Sequence, residues 1–572
     1  MASAHLMRVV QTVEVLEAVV RRAFGPHGGQ VLFTRDTGQA MVSRSGTRIL
    51  TALRLDNPLA RMIVEWVSGH SSRTGDGSKS FILLLASLVR TIDRAACWDL
   101  SLSHSSGSDL HCSSARRLAY ELLSFSLQLD HLITVRVVPY GQRLAWKDMF
   151  TVLPSPVQKL LLAFFHTRLS HNNCIFISGL LCELLSNWTA EDPQPYSALQ
   201  FLNDTWPALY TPVVGFPVGN SRLLEGQIIH RDFAVPSTPT AQGPVKAVVL
   251  TEPLGRFMEA GDVLQIGNKG SISPLGSFTE RSLECVLSHL QSLGVSVLLS
   301  SVKQSAAVLA LAAQAQMGVV ECIGQEDLVL FSRLSEATPV STFWNIRPEN
   351  VVSLAFCKPI LLGAHRYVHV GFPAKDHLRP CSLVVCGAGA GQSEQHALAM
   401  QDAIKMLLTT WQPPASEQLE NPTHVTAKNT SHHQSGLQGC VLTAGGTFEF
   451  LLSRALRQNS VNGQSNVVSW ILADSLLCIP RYIYSNKPGS FAQIQATIGK
   501  FPEHPVDGTI HLKCERSTQD PGLESAFCKY QLLLAVLQCV SQLFRTDAVI
   551  HTSSRLKTIS NISCEEGGEA EG

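Results

Sequence analysis

The sequence has no surplus of either charge: 45 basic residues face 45 acidic ones across 572 positions. A protein that holds nucleic acid or a membrane surface needs a basic field, so neither partner is expected. No apolar run is long enough to span a bilayer; even "VLALAAQAQMGVV" is broken by glutamines, so no membrane insertion is expected. The opening "MASAHLMRVVQTVEVLEAVVRRAFG" lacks the compact apolar core and small-residue cleavage site of a secretory leader. Its Val13, Leu16, Val20 and Phe24 instead form one stripe of an amphipathic helix. There is no C-x-x-C pair, and the cysteine count, 15, is odd. This pattern excludes a zinc ribbon or a disulfide framework and suits reduced, buried thiols in a cytosolic protein. Asn187-Trp-Thr and Asn203-Asp-Thr fit the glycosylation pattern but, without secretion, are chance matches.

What is present is an ordinary globular composition, 45% apolar and 16% charged, on a chain too long for one core. Two or three domains are expected. Two stretches read as loops: "SLSHSSGSDLHCSS" at 101–114 and "WQPPASEQLENPTHVTAKNTSHHQSG" at 411–436. His432 and His433 in the second loop read as solvated, not metal-bound. The acidic "CEEGGEAEG" reads as a disordered tail. The first third of the chain and the region after about 437 read as long helices. Between them, "KAVVLTE", "VSVLLSSV", "SAAVLALAAQAQ" and "GVVECIG" alternate strand and helix, which indicates an α/β domain inserted into a helical one.

Three glycine turns open helices. In "RTGDGSKS" (73–80), Gly75 and Gly77 flank Asp76, and the apolar "FILLLASLVRTIDRA" follows as a buried helix. Backbone N–H groups at a helix start attract anions, and glycines let a phosphate come close. Ser78 and Ser80 offer hydroxyl donors and Lys79 a charge. Asp76 would repel a bare phosphate, so its job there would be to hold a bridging Mg²⁺. The Walker A spacing is absent. On these eight residues alone the plainer reading, a tight turn capped by Asp76, is preferred. The second turn, Gly387–Gly391, resembles only half of a dinucleotide fingerprint. On the helix after it, Asp402 sits among Ala399, Ala403 and Met406, either as a general base for water or as a solvated helix charge. The third, "LTAGGTFEFLL", places Glu449 in a first turn, where it caps the helix dipole.

Taken together, these pieces resemble the group II chaperonins over nearly the whole chain. "VVRRAFGPHGGQVL" is similar to the family's early helix and Gly-Pro-x-Gly, here Gly25, Pro26 and Gly28. "VSRSGTRIL", with Gly46, resembles its Asn-Asp-Gly turn, and "GDGSKS" its Gly-Asp-Gly-Thr-Thr-Thr loop. "SRLLEGQIIHRDF" resembles the approach to the apical domain, and "LAMQDAIKML" the helix that carries the hydrolytic aspartate. "AGGTFEFLL", with Gly445 and Gly446, resembles the Gly-Gly-Gly-Ala-x-Glu turn, and "LESAFCKYQLLLAVLQC" the closing helix. Within the family, the wording is similar to the chaperonin-like Bardet–Biedl branch.

The resemblance implies an α+β multidomain subunit. A mostly helical, discontinuous equatorial domain would occupy 1–150 and 405–555, an intermediate domain 151–214 and 351–404, an α/β apical domain 215–350, and a tail 556–572. It implies ATP and Mg²⁺ as cofactors. The nucleotide would lie against Gly25, Pro26, Gly46, Gly75, Asp76, Gly77, Ser78, Lys79, Ser80, Gly445 and Gly446, with Asp76 on the metal and Asp402 as the catalytic residue. The implied partners are other chaperonin-like Bardet–Biedl proteins, cytosolic chaperonin subunits and BBSome subunits as clients. The implied location is the cytoplasm, with association at the cilium and basal body.

Several positions depart from the family. Ser45, after Arg44, replaces its Asn-Asp-Gly aspartate, and Ser78-Lys79-Ser80 replaces Thr-Thr-Thr. Leu398, Ala399, Met400 and Gln401 replace the Arg-Ser-Leu-His before the hydrolytic aspartate. The Gly/Ser/Pro-rich stretch 261–282 is a poor helix former where a lid protrusion belongs. These departures leave open an ATP-driven chaperone with weak ATPase activity, or a non-hydrolysing scaffold.

Overall fold

The computed structural model describes residues 2–34, 40–102, 108–144, 155–189, 195–236, 244–254, 272–341, 346–373, 379–412, 436–461, 467–501 and 522–546. The expectations for the middle of the 411–436 loop with its two histidines, for 261–271 of the 261–282 stretch, and for the tail 556–572 fall outside these residues.

In chain order the elements begin with α1 (Ala2–Arg21), β1 (Val31–Thr34), β2 (Ala40–Ser43), α2 (Gly46–Thr51), α3 (Pro58–Thr74), α4 (Ser78–Leu102), α5 (Ser108–Arg136) and β3 (Gln142–Arg143). The stripe Val13, Leu16 and Val20 faces inward from α1, with Phe24 packed beside it. The α4 run from Phe81 to Leu85 is wholly buried, as its unbroken apolarity requires. Asn57 caps α3, its side chain accepting from the Leu59 N–H at 2.9 Å, with Pro58 at the first helical position.

The middle of the chain supplies α6 (Pro156–His166), α7 (His171–Thr189), α8 (Pro195–Asp204), α9 (Trp206–Leu209), β4 (Tyr210–Val214), β5 (Arg222–Glu225) and β6 (Gln227–Ile229). After these come β7 (Val245–Leu250), α10 (Ile272–Ser292), β8 (Val297–Ser300), α11 (Ala306–Gln314), β9 (Gly318–Val320), α12 (Gln325–Ser335), β10 (Val352–Leu354), β11 (Phe356–Leu362) and β12 (His365–Gly371). Strands β7, β8 and β9 run parallel, with β10 antiparallel at the β7 edge. Successive β7 side chains point to opposite faces. Val248 and Leu250 meet Leu287 and Leu290 of α10, while Ala247 and Val249 meet Leu328 and Phe331 of α12. Both faces are covered, which explains why these strands read as apolar runs without alternation.

The chain then returns through β13 (Cys381–Gly387), α13 (Ala390–Thr410), β14 (Cys440–Thr443), α14 (Thr447–Val461), α15 (Val467–Leu476), α16 (Cys478–Ile483), α17 (Pro488–Gly499), β15 (Leu523–Ser525) and α18 (Ala526–Arg545). Strand β13 lies between β4, parallel, and β5, antiparallel. Strand β14 pairs with β3 and β15, joining segments far apart in sequence. One apolar core combines Val20, Ile63 and Phe81 with Phe448, Leu472, Leu533 and Val540, so both ends of the chain share it. A second core packs α6, α7 and β13 against α13.

Three sequence expectations need correction. The 101–114 stretch reads as a loop, yet α4 continues to Leu102 and α5 is helical from Ser108, so residues 108–114 are its first two turns. The 261–282 stretch reads as a poor helix former, yet α10 is helical from Ile272; Pro274 falls in its first turn, where no N–H bond is lost. Among the described residues one helix, Ala526–Arg545, is also apolar and long enough to cross a membrane, and it is mostly buried. Its Leu533, Val536 and Val540 belong to the shared core, so its hydrophobicity serves helix packing. Among the described residues all 13 cysteines are free, nine of them buried.

Lys529 of α18 bridges two carboxylates, Glu449 at 2.8 Å and Glu524 at 3.3 Å. The two acids hold its ammonium charged against the pull of burial. Removing one partner of such a buried set leaves uncompensated charge. Lys529→Met should cost about 3–5 kcal/mol, measured by chemical denaturation.

Candidate functional site

Helix α3 ends at Gly75, whose φ of 71° is left-handed and whose N–H bonds the Ser71 carbonyl at 2.8 Å. Asp76 follows, then Gly77 with φ 87°, and α4 starts at Ser78. Two left-handed residues around one carboxylate turn the chain through the space of a few residues, which only glycine does without strain. The loop is pressed onto α13: a Cβ on Gly75 would lie 2.0 Å from the Asp402 carbonyl oxygen. A Cβ on Gly77 would lie 3.1 Å from both His70 Nε2 and Leu532 of α18. Gly46 closes the other side, where a Cβ would lie 2.5 Å from Lys79 Cγ and 2.6 Å from Ser78 Oγ. The loop, the start of α2 and the hydrolytic-helix candidate therefore converge at one place.

The leading N–H groups of α4 have no carbonyl to bond within the helix and carry its positive dipole end. Ser78 is buried and Ser80 half-buried beside them. These features suit phosphate oxygens.

Arg168, in the turn after α6, carried no motif in the sequence, yet it dominates the site. It is 8% exposed. Its Nη2 donates to the Gly75 carbonyl at 3.0 Å and to Asp76 Oδ1 at 2.8 Å. Its Nη1 donates to the Phe164 carbonyl at 3.3 Å and to Thr167 Oγ1 at 3.0 Å. The guanidinium lies over the Phe164 ring, 3.7 Å from its centroid. Burial pushes the Asp76 carboxyl upward, but Arg168 outweighs it and holds the group below the usual carboxylate range. Its side chain keeps 44% of its surface open, so protein crowds this carboxylate from one side only.

Lys79 faces away from the loop mouth. Its Nζ donates to the carbonyls of Ala23 and Thr167, both at 3.0 Å, fastening the ends of α1 and α6 to α4. Burial, then the charges of Arg168 and Arg44, bring its ammonium down to about 7. Asp402 is raised to about 6 by burial, against the pull of Arg168 and Lys405, with Asp76 adding to the rise. Lys405 Nζ stands 3.9 Å from its Oδ1. A carboxyl in this range suits general-base work near neutral pH.

The remaining glycines gather elsewhere. Gly25, with φ 80°, and Pro26 follow α1; Gly25 lies against the Tyr482 carbonyl at the end of α16. Gly445 and Gly446, with φ of 109° and 89°, open α14 against Tyr484 and Pro480. Leu532 and Lys529 of α18 touch the two groups from one helix, the first against Gly77 and the second on Glu449. A cavity of about 490 Å³ beside His230, Arg231 and Tyr367 is lined by none of these residues.

A nucleotide's phosphates fit this cradle; a magnesium ion on Asp76 does not fit as well. One carboxylate oxygen already accepts from a fixed guanidinium, and the second family carboxylate is Ser45, the N-cap of α2. Magnesium wants a near-ideal octahedron of oxygens, and here it would share a single carboxylate with a permanent cation.

Asp402 gives a test through stability. Its raised pKa means the folded state holds this proton more tightly than the unfolded chain does. Stability therefore falls through this group as pH rises from about 4 to about 6, and the full cost persists above. Asp402→Asn should match wild type near pH 4 and exceed it by about 3 kcal/mol at pH 7.5, in thermal melts across that range.

The sequence pattern of the TCP-1/cpn60 chaperonin family matches residues 16–100, which contain Gly25, Pro26, Gly46 and the Gly75–Ser80 loop. The chain is 27% identical over 734 aligned positions to the BBSome complex assembly protein BBS10 of Pongo abelii, covering 99% of both chains. It is 32% identical over 413 positions to the Mus musculus protein of that name, covering 70% of this chain and 57% of the mouse protein. The thermosome subunit alpha of Halobacterium salinarum is 20% identical over 84% of this chain and 76% of its own. This chain thus carries a TCP-1/cpn60 chaperonin family domain over residues 16–100 and is similar along 99% of its length to a BBSome complex assembly protein.

Proposed function

We propose that this chain is a chaperonin-like assembly protein that binds ATP at the Gly75–Ser80 loop and promotes assembly of the BBSome. The observation that carries the nucleotide reading is the pair of left-handed glycines holding Asp76 at the start of α4, pressed against the main chain of Asp402. Full-length similarity to the BBSome complex assembly proteins carries the choice of client. On this reading the helical core shared by both chain ends is the equatorial domain, the β7–β10 sheet belongs to the apical domain, and α13 lies in the hinge between them. The partners are BBSome subunits as clients, other chaperonin-like Bardet–Biedl proteins and cytosolic chaperonin subunits, in the cytoplasm near the cilium and its basal body.

A second reading, a scaffold that binds ATP without turnover, is favoured by one observation. In-line attack on a phosphoryl group needs a positioned water and neutralised charge. Asp402 serves the first, but Ser45 and the Arg168–Asp76 pair leave little carboxylate to hold a metal for the second.

Self-assembly into rings requires two complementary faces on one chain. The β1–β2 hairpin offers an apolar cross-strand pair, Leu32 at 67% and Val42 at 44% exposed, suited to a partner's strand. We expect the isolated chain to be a monomer or small complex by light scattering; a stable particle of ring mass made of this chain alone would favour an independent folding machine. Co-expression of BBSome subunits with and without the chain tests the function itself. The assembled fraction on a gradient should rise several-fold with the chain present, and an unchanged fraction refutes the assembly role.

A further inference from the structure

We propose that Arg168 is a built-in counter-cation of the nucleotide site, so that a nucleoside triphosphate binds there through its phosphates without a divalent metal. The inference rests on the nucleotide reading given above and extends it. The argument begins with immobilisation. Arg168 is 8% exposed, is stacked on Phe164, and spends its two terminal nitrogens on the Gly75 carbonyl, Asp76 Oδ1, the Phe164 carbonyl and Thr167 Oγ1. A guanidinium so held is preorganised and carries its charge at every working pH, so it offsets the Asp76 charge that would otherwise repel a phosphate at the loop. It binds the main chain of the loop and the loop's only carboxylate at once, which is where a bridging metal would act.

The charges around it point the same way. Arg168 and Lys405 stand against Asp76 and Asp402, while Lys529 is shared with Glu449 and Glu524 and Arg48 is paired with Glu394 at 3.2 Å. A divalent ion in a phosphate site neutralises oxygens and fixes their positions. Here the fixed guanidinium at the α6 turn and Lys405 on α13 supply charge, and the start of α4 supplies position. Ser45 in place of a carboxylate fits a site relieved of metal ligation. Arg168 is a positioning and binding residue on this account, not a catalytic one.

The experiment is calorimetric titration of the full chain with ATP, once in excess magnesium and once in excess EDTA. The wild type should bind with affinities within about threefold of each other, since the fixed guanidinium is present in both buffers. Arg168→Ser should lose at least about tenfold in EDTA and recover in magnesium, because the freed Asp76 can then take the ion. A wild-type affinity that collapses in EDTA overturns the role given to Arg168 and leaves the nucleotide reading standing. No heat in either buffer, confirmed with a fluorescent ATP analogue, removes both. The wild-type comparison decides the matter even if Arg168→Ser fails to fold in a melting check.

Discussion

Gly75 sits so close to α13 that any side chain there would run into the Asp402 main chain. That approach couples two segments more than 300 residues apart in sequence, and much of the site follows from it. Because the loop lies on α13, Asp76 and Asp402 feel each other's charge. Because α4 begins where the loop ends, its dipole and leading N–H groups face the same place. Gly46 repeats the device on the opposite side, bringing α2 against Ser78 and Lys79 without room for a methyl group. Close packing of backbones, made possible by missing side chains, thus fixes the relative positions of the polar groups before any ligand arrives.

Electrostatics then set what those groups can do. Asp402 is held in an environment that disfavours its charge, while Asp76 is held in one that favours it, and Arg168 is the main reason for the difference. Two carboxylates whose environments push their pKa values apart are suited to different roles. Lys79 shows the converse. Its ammonium is buried, fastened to two carbonyls and weakened as a cation, so it joins α1, α4 and α6 mechanically. The Glu449–Lys529–Glu524 set does similar work, joining the starts of α14 and α18 to β15.

Much of this was legible in the sequence where local rules decide. The Gly-Asp-Gly turn before an apolar run gives a left-handed loop and a buried helix because glycine and helical period act over a few residues. The alternation of β-branched runs with helices gives a covered parallel sheet for the same reason. Arg168 was not legible: "HTRLSH" has no spacing that marks an arginine as buried, and its partner lies 92 residues away. Lys79 reads as a phosphate ligand in one dimension because its neighbours are hydroxyls; its real partners, Ala23 and Thr167, come from other helices. Helix α10 forms in a stretch of weak helix formers because its later residues Leu283, Val286, Leu287 and Leu290 bury against the sheet. Tertiary burial overrode propensity there.

The central claim is that the Gly75–Ser80 loop and the Asp402 segment of α13 form one ligand site despite their separation in the chain. Hydrogen exchange on the full chain with and without saturating ATP tests it directly. The account predicts added protection at 70–82 and 398–406 together, and little change on the outer face of α5. Protection confined to one of these segments, or absent from both, would contradict it.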